Sequence, residues 1–164
     1  MPDPAGLTAP FVRYRTEVRE EWIDYNGHLH DAGYAIVLSE ANEALLAHLG
    51  LSEAYRVDTG RAMYTVESHI RYLAEAKQGD VIEAASLLVS ADAKRMRVHT
   101  LLRRDDGVPV ATGEYFYLHV DQAAGEVTAM PPDRWAAVDA LLSEHASLDR
   151  PEHLGRGVGA RRQP

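Results

Sequence analysis

Between Tyr64 and Val120 four strand-like runs follow one another with only turn-length links, and one long helical segment precedes them. That order constrains the fold more than any other feature. From Asp31 to Leu49, the residues Tyr34, Val37, Leu38, Ala41, Leu45 and Leu49 recur at three- and four-residue steps, the period of a helix with one buried face. Asp31 is the expected N-cap and Gly50 the expected stop. In the first run, Tyr64, Val66, Ser68, Ile70 and Tyr72 alternate with Thr65, Glu67, His69 and Arg71, the period of a strand. Asp80 to Ser90 is apolar enough for burial on both faces. Lys94 to Arg104 alternates again, and Pro109 to Val120 is rich in aromatic and β-branched residues. Gly79-Asp80, Ala91-Asp92-Ala93 and Asp105-Asp106-Gly107 supply the turns. Consecutive strands with hairpin-length links make an antiparallel sheet, and a lone long helix must bury its apolar face against that sheet. The expectation is an α+β domain with an antiparallel sheet wrapped around one central helix. An open sheet edge also favours pairing with a second copy.

The flanking segments complete this outline. Phe11 to Val18 reads as a first strand, residues 51–63 as a polar connector, and Pro131-Pro132-Asp133 as the start of a short helix ending near Ser143. One domain is expected over residues 11–145, with flexible termini at 1–10 and 146–164. A chain of 164 residues leaves little room for a second domain.

Composition excludes several functions. Without cysteine there is no disulfide, thiolate nucleophile or thiolate metal site. Seventeen basic residues against 25 acidic ones, a net charge of −8, argue against a general nucleic-acid binder. No apolar run approaches a membrane span, and Met1 to Pro10 lacks the pattern of a signal peptide, so a cytoplasmic location is expected. His28, His30, His69, His99 and His119 show no metal-ligand spacing, and no metal is expected. Ser39, Ser68 and Ser90 lack a nucleophile elbow.

Chemistry is expected where Asp24-Tyr25-Asn26-Gly27-His28-Leu29-His30-Asp31 runs into the helix. The first turn of a helix carries unpaired backbone N–H groups, and they can polarise a carbonyl oxygen held there. A carboxylate just upstream can attack the carbonyl carbon or activate a water beside it. An Asp in this position more often serves as a turn or cap residue. Lys94, Arg95 and Arg97 are candidates for phosphate groups of a ligand, although a solvated strand face is the commoner use of such residues.

Asp24-Tyr25-Asn26-Gly27-His28 and Tyr34 resemble the Asp-x-x-Gly-His…Tyr signature of the hotdog-fold thioesterases of the 4-hydroxybenzoyl-CoA thioesterase type. Val66-Glu67-Ser68-His69-Ile70-Arg71-Tyr72-Leu73 and Gly79-Asp80-Val81 extend the resemblance, which covers residues 11–121. It implies the hotdog fold, a homodimer or homotetramer with sites at the subunit interface, and an acyl-CoA substrate. Asp24 is then the nucleophile or base, and the backbone amide near Asp31 polarises the thioester carbonyl. Asn26, Gly27 and His28 shape the turn or line the pocket. No resident cofactor is implied, coenzyme A being part of the substrate. Tyr25-Asn26 stands where some members carry Pro-Ala, which bears on acyl preference. Tyr34-Ala35-Ile36-Val37 and His119-Val120-Asp121-Gln122 resemble the small thioesterases of carnitine breakdown, which act on betainyl-CoA. A quaternary ammonium group needs aromatic faces. Trp22, Tyr25, Tyr34, Tyr64 and Tyr72 are candidates, with Glu67 as an added acid, although each aromatic fits a core or dimer contact as well. The alternatives are a non-catalytic hotdog module that binds acyl-CoA and a hotdog hydratase or dehydratase.

Overall fold

A computed structural model describes residues 10–159 of the chain. Five strands form one antiparallel sheet: β1 (Phe11–Glu17), β2 (Arg61–Tyr72), β3 (Val81–Asp92), β4 (Arg95–Arg104) and β5 (Pro109–Asp121), in the order β1-β3-β4-β5-β2. A two-residue β6 (Glu126–Val127) pairs with the end of β5. The helices are α1 (Asp31–His48), α2 (Glu53–Thr59) and α3 (Pro132–His145). The sheet curls around α1, which is the hotdog arrangement that the resemblance implies.

The expected helical face is the one that is buried. Tyr34, Val37, Leu38, Ala41 and Leu45 pack with Ile82, Ala84, Met96, Val98, Leu102, Ala111, Tyr115 and Tyr117 in one core. Each large aliphatic side chain in such a core contributes about 1.5–3 kcal/mol. Gly113 of β5 lets α1 approach closely: a Cβ there would lie 2.9 Å from both Cδ atoms of Leu38. A buried polar chain crosses the same layer, with Ser86 Oγ 2.9 Å from Thr100 Oγ1 and Thr100 Oγ1 donating to Asn42 Oδ1 at 2.9 Å.

Three features differ from the expectation. The α1 cap is His30, whose Nδ1 accepts the Gly33 N–H at 2.9 Å, so Asp31 is the first helical residue. The connector at 51–63 contains α2, closed by Gly60 in the left-handed conformation, a backbone that favours glycine. Tyr55 of α2 is buried and its hydroxyl meets His119 Nε2 at 2.9 Å, a tertiary contact that overrides the polar composition of the segment. Finally, the alternation of β2 breaks where its register on β5 shifts between Thr65 and Glu67. Leu87, Leu88 and Val89 of β3 are all buried, in line with the reading of that run. There α3 packs along β3, and His145 Nδ1 accepts the Leu88 N–H at 2.9 Å.

Beyond α3 the chain continues as turns to residue 159, and Gly155 N–H donates to Glu114 Oε2 at 2.8 Å. Residues 1–9 and 160–164 of the two expected flexible termini lie outside the described residues. Among the described residues no helix is long and apolar enough to cross a membrane.

Candidate active site

The loop into α1 is a small hairpin. Ile23 bridges Leu29, Asp24 N–H donates to His28 O at 2.9 Å, and Gly27 N–H donates to Asp24 O at 3.0 Å. Gly27 closes the turn at φ +79°, where a side chain would be strained. Two further bonds pin the hairpin: Leu29 N–H to Ala76 O at 2.8 Å and His30 N–H to Trp22 O at 3.0 Å. Gly33 receives it on the helix, since a Cβ there would fall on the Leu29 side chain.

Within the hairpin the Asp24 carboxylate accepts Asn26 N–H at 2.8 Å, the Asn26 side-chain amide at 3.2 Å and His28 N–H at 3.4 Å. Desolvation acts to raise its pKa, but these donors and the neighbouring His28 together outweigh it and hold the carboxyl below its ordinary value. Asp24 is therefore both a turn residue and an ionised group at neutral pH. Its Oδ2, with one long bond, keeps lone-pair capacity.

At the start of α1, Ala32 N–H donates to Asp31 Oδ1 at 2.8 Å and Gly33 N–H is taken by His30. The Asp31 N–H has no acceptor among the described residues. Asp24 and Asp31 line one open cavity of about 690 Å³, together with Asn26, His28, Tyr34 and Tyr72.

Tyr34 positions the far wall of this cavity. It is 4 % exposed, and its hydroxyl donates to Ala74 O at 3.0 Å and accepts Ala76 N–H at 3.1 Å. This ties the segment after β2 to α1. The Tyr72 ring meets the Tyr34 ring edge-on, with centroids 5.5 Å apart, and stays 53 % exposed.

Four of the residues singled out from sequence lie elsewhere. Trp22 is core, 5 % exposed, with the Arg19 guanidinium 4.6 Å over its ring. Tyr25, at the hairpin tip, is 97 % exposed. Tyr64 sits eight residues before Tyr72 on β2, and its hydroxyl accepts from Gln122. That spacing puts it roughly 26 Å away along the strand. Glu67 lines a separate cavity with His69, Arg97 and Arg156. The candidates for coenzyme phosphates are engaged in part: Arg95 Nε meets Asp92 at 2.7 Å and Arg97 Nε meets Glu114 at 2.6 Å.

Sequence reasoning missed Glu75, whose Oε2 lies 3.1 Å from His28 Nε2 and which lines the cavity beside Ala74. No spacing pattern marks it, because the contact joins two loops more than forty residues apart.

Residues 18–142 match the model of a family described as the thioesterase-like superfamily. The chain is 38 % identical over 154 residues to the betainyl-CoA thioesterase of Pseudomonas aeruginosa, covering 93 % of this chain and 97 % of that protein. It is 42 % identical over 151 residues to the L-carnitine dehydrogenase/betainyl-CoA thioesterase of Agrobacterium fabrum. There the match covers 92 % of this chain but only 31 % of the relative. Among solved structures, a Staphylococcus aureus protein in complex with CoA superposes with a TM-score of 0.85 at 26 % identity. That match covers 94 % of this chain and 98 % of the other.

Proposed function

The chain belongs to the thioesterase-like superfamily, and from that premise we propose that it hydrolyses an acyl-CoA thioester, with betainyl-CoA as the substrate. The observation that carries this reading is the pairing of the ionised Asp24 with the acceptor-free Asp31 N–H around one cavity. The Asp31 N–H receives the thioester oxygen and stabilises the negative charge that develops on it. Asp24 acts on the carbonyl carbon directly, or takes a proton from a water that does so. Collapse of the adduct breaks the carbon–sulfur bond and expels the coenzyme A thiolate, which is protonated to the thiol. By the direct route this leaves a mixed anhydride on Asp24, which water then cleaves to release the acid and restore the aspartate; by the other route the water oxygen joins the carbonyl carbon in the first step and no covalent intermediate with Asp24 forms. No resident cofactor enters, since coenzyme A arrives with the substrate. The relatives' names support betainyl-CoA as the acyl donor.

The experiment is thiol release from a panel of acyl-CoAs that includes betainyl-CoA. Turnover with betainyl-CoA as the fastest member is expected. Tight acyl-CoA binding without thiol release would identify a non-catalytic module instead, and water addition without thiol release a hydratase.

The same reading includes self-association. β2 is an open edge of twelve residues, and Tyr64, Val66, Tyr72 and Leu73 are exposed along it. An edge of that length with apolar side chains is a template for another strand. Light scattering is expected to give two or four times the chain mass of 18.1 kDa; a monomer at micromolar concentration would reject pairing.

A further inference from the structure

The cavity around Asp24 has an unusual charge. Asp24, Asp31 and Glu75 line it, and no lysine or arginine does. Two of the three carboxylates are committed: Asp24 holds its own turn and Glu75 faces His28. Asp31 is different. Its Oδ1 takes the Ala32 N–H, and Oδ2 has no partner among the described residues. Tyr72 stands next to it, half exposed and braced edge-on by Tyr34. We infer that the Asp31 carboxylate and the open face of Tyr72 form the element that recognises a quaternary ammonium acyl group and separates it from neutral acyl groups of the same shape. This inference rests on the thioesterase reading above.

The chemistry follows from what such a cation lacks. A quaternary ammonium carries no N–H, so hydrogen bonds cannot select it. An aromatic face and nearby negative charge can. In betainyl-CoA the ammonium is one methylene away from the thioester carbonyl. Whatever recognises it must therefore sit beside the group that holds the carbonyl oxygen. Asp31 meets this demand within one residue: its N–H is the acceptor-free amide of the helix start, and its carboxylate lies on the same cavity wall. The proximity of Asp31 to Tyr72 has an electrostatic trace. Burial first, and then the charge of Asp31, raise the pKa of the Tyr72 hydroxyl. Tyr34 is a brace and not a contact for the cation, because it is buried and its ring packs against that of Tyr72. Tyr64 and Glu67 are too far from this wall to take part from the same chain.

Removing the charge is expected to act differently on a cationic and a neutral acyl group. A neutral side chain at residue 31 weakens the hold on a cationic acyl group. Any effect on the Asp31 amide that holds the carbonyl oxygen is common to both thioesters and cancels in their ratio. The readout is the ratio of kcat/KM for betainyl-CoA to that for 3,3-dimethylbutanoyl-CoA, in which carbon replaces nitrogen. Wild type is expected to favour betainyl-CoA. Asp31→Asn and Tyr72→Leu are each expected to lower the ratio by about tenfold, while Tyr72→Phe, which keeps the ring, preserves it. The inference is overturned if wild type hydrolyses both thioesters and the ratio is unmoved in Asp31→Asn and Tyr72→Leu. Wild type that hydrolyses neither would overturn the thioesterase reading, and the inference with it.

Discussion

Asp24→Asn lowers kcat for thioester hydrolysis by about a thousandfold, the scale expected when a positioned base is removed. The melting temperature stays close to that of wild type. Asparagine has nearly the same shape, and its side-chain oxygen still accepts the N–H groups of Asn26 and His28 that build the turn. The charge, its basicity and the long bond from the Asn26 side-chain amide to Oδ2 are lost, while the backbone bonds of the turn remain, so activity and fold separate. Thiol-release kinetics beside a thermal melt make the check; a variant that retains more than a tenth of kcat would remove Asp24 from the chemistry. The wild-type pH profile is a companion test. In the proposed reaction Asp24 works as the carboxylate, and its folded pKa lies below the ordinary 3.8. Activity is therefore present above that value and lost only as pH falls through the depressed one. An acid limb of kcat/KM centred near pH 6, with circular dichroism still native, would point away from Asp24 and to a group of ordinary histidine basicity.

Leu38→Ala destabilises the fold by about 3 kcal/mol, a drop in melting temperature of roughly 6–12 °C for a domain of this size. Leu38 is fully buried between α1 and the sheet. Truncating it opens a cavity above Gly113. The reciprocal change, Gly113→Ala, places a methyl 2.9 Å from the Leu38 Cδ atoms and 2.7 Å from the Tyr115 ring. Such overpacking costs about 1–2 kcal/mol. In the double variant the Leu38 clash disappears and the new methyl enters the cavity, while the Tyr115 contact persists. The combined cost is then less than the sum by about 1 kcal/mol. Urea melts of the four proteins measure this coupling. Strict additivity would mean that α1 and β5 do not meet at this point.

Both predictions rest on contacts of unequal legibility. The fully buried face of α1, Val37, Leu38, Ala41 and Leu45, follows from its spacing, because a helix of period 3.6 packed against a sheet must bury that stripe. The alternation expected for β4 holds only around Met96 and Val98, because His99 to Leu102 are buried in succession, and β5 alternates only from Gly113 onward. β2 is also less legible: the shift between Thr65 and Glu67 turns the register, and a bulge leaves no mark in an alternating run. The α2 segment is hidden by its polarity, and the contact that ties it to the sheet, the buried Tyr55 hydroxyl meeting His119, is a tertiary one.

The candidate site divides along the same line. Asp24, Asn26, Gly27 and His28 are neighbours in sequence, and a turn of this kind is local chemistry, so the chain by itself determines it. The resemblance of the motif added Asp31 and Tyr34. Which aromatic residues reach the cavity was decided by the tertiary structure alone. Trp22 is only two residues from Asp24 yet faces the core, while Tyr72 and Glu75 arrive from more than forty residues away. The sequence determines local turns, the helix period and the strand order, because these depend on neighbours along the chain. The sheet's curl around α1 and the Tyr34 hydroxyl bridge to Ala74 and Ala76 bring the distant wall into place. They depend on contacts whose sequence separation no periodicity encodes.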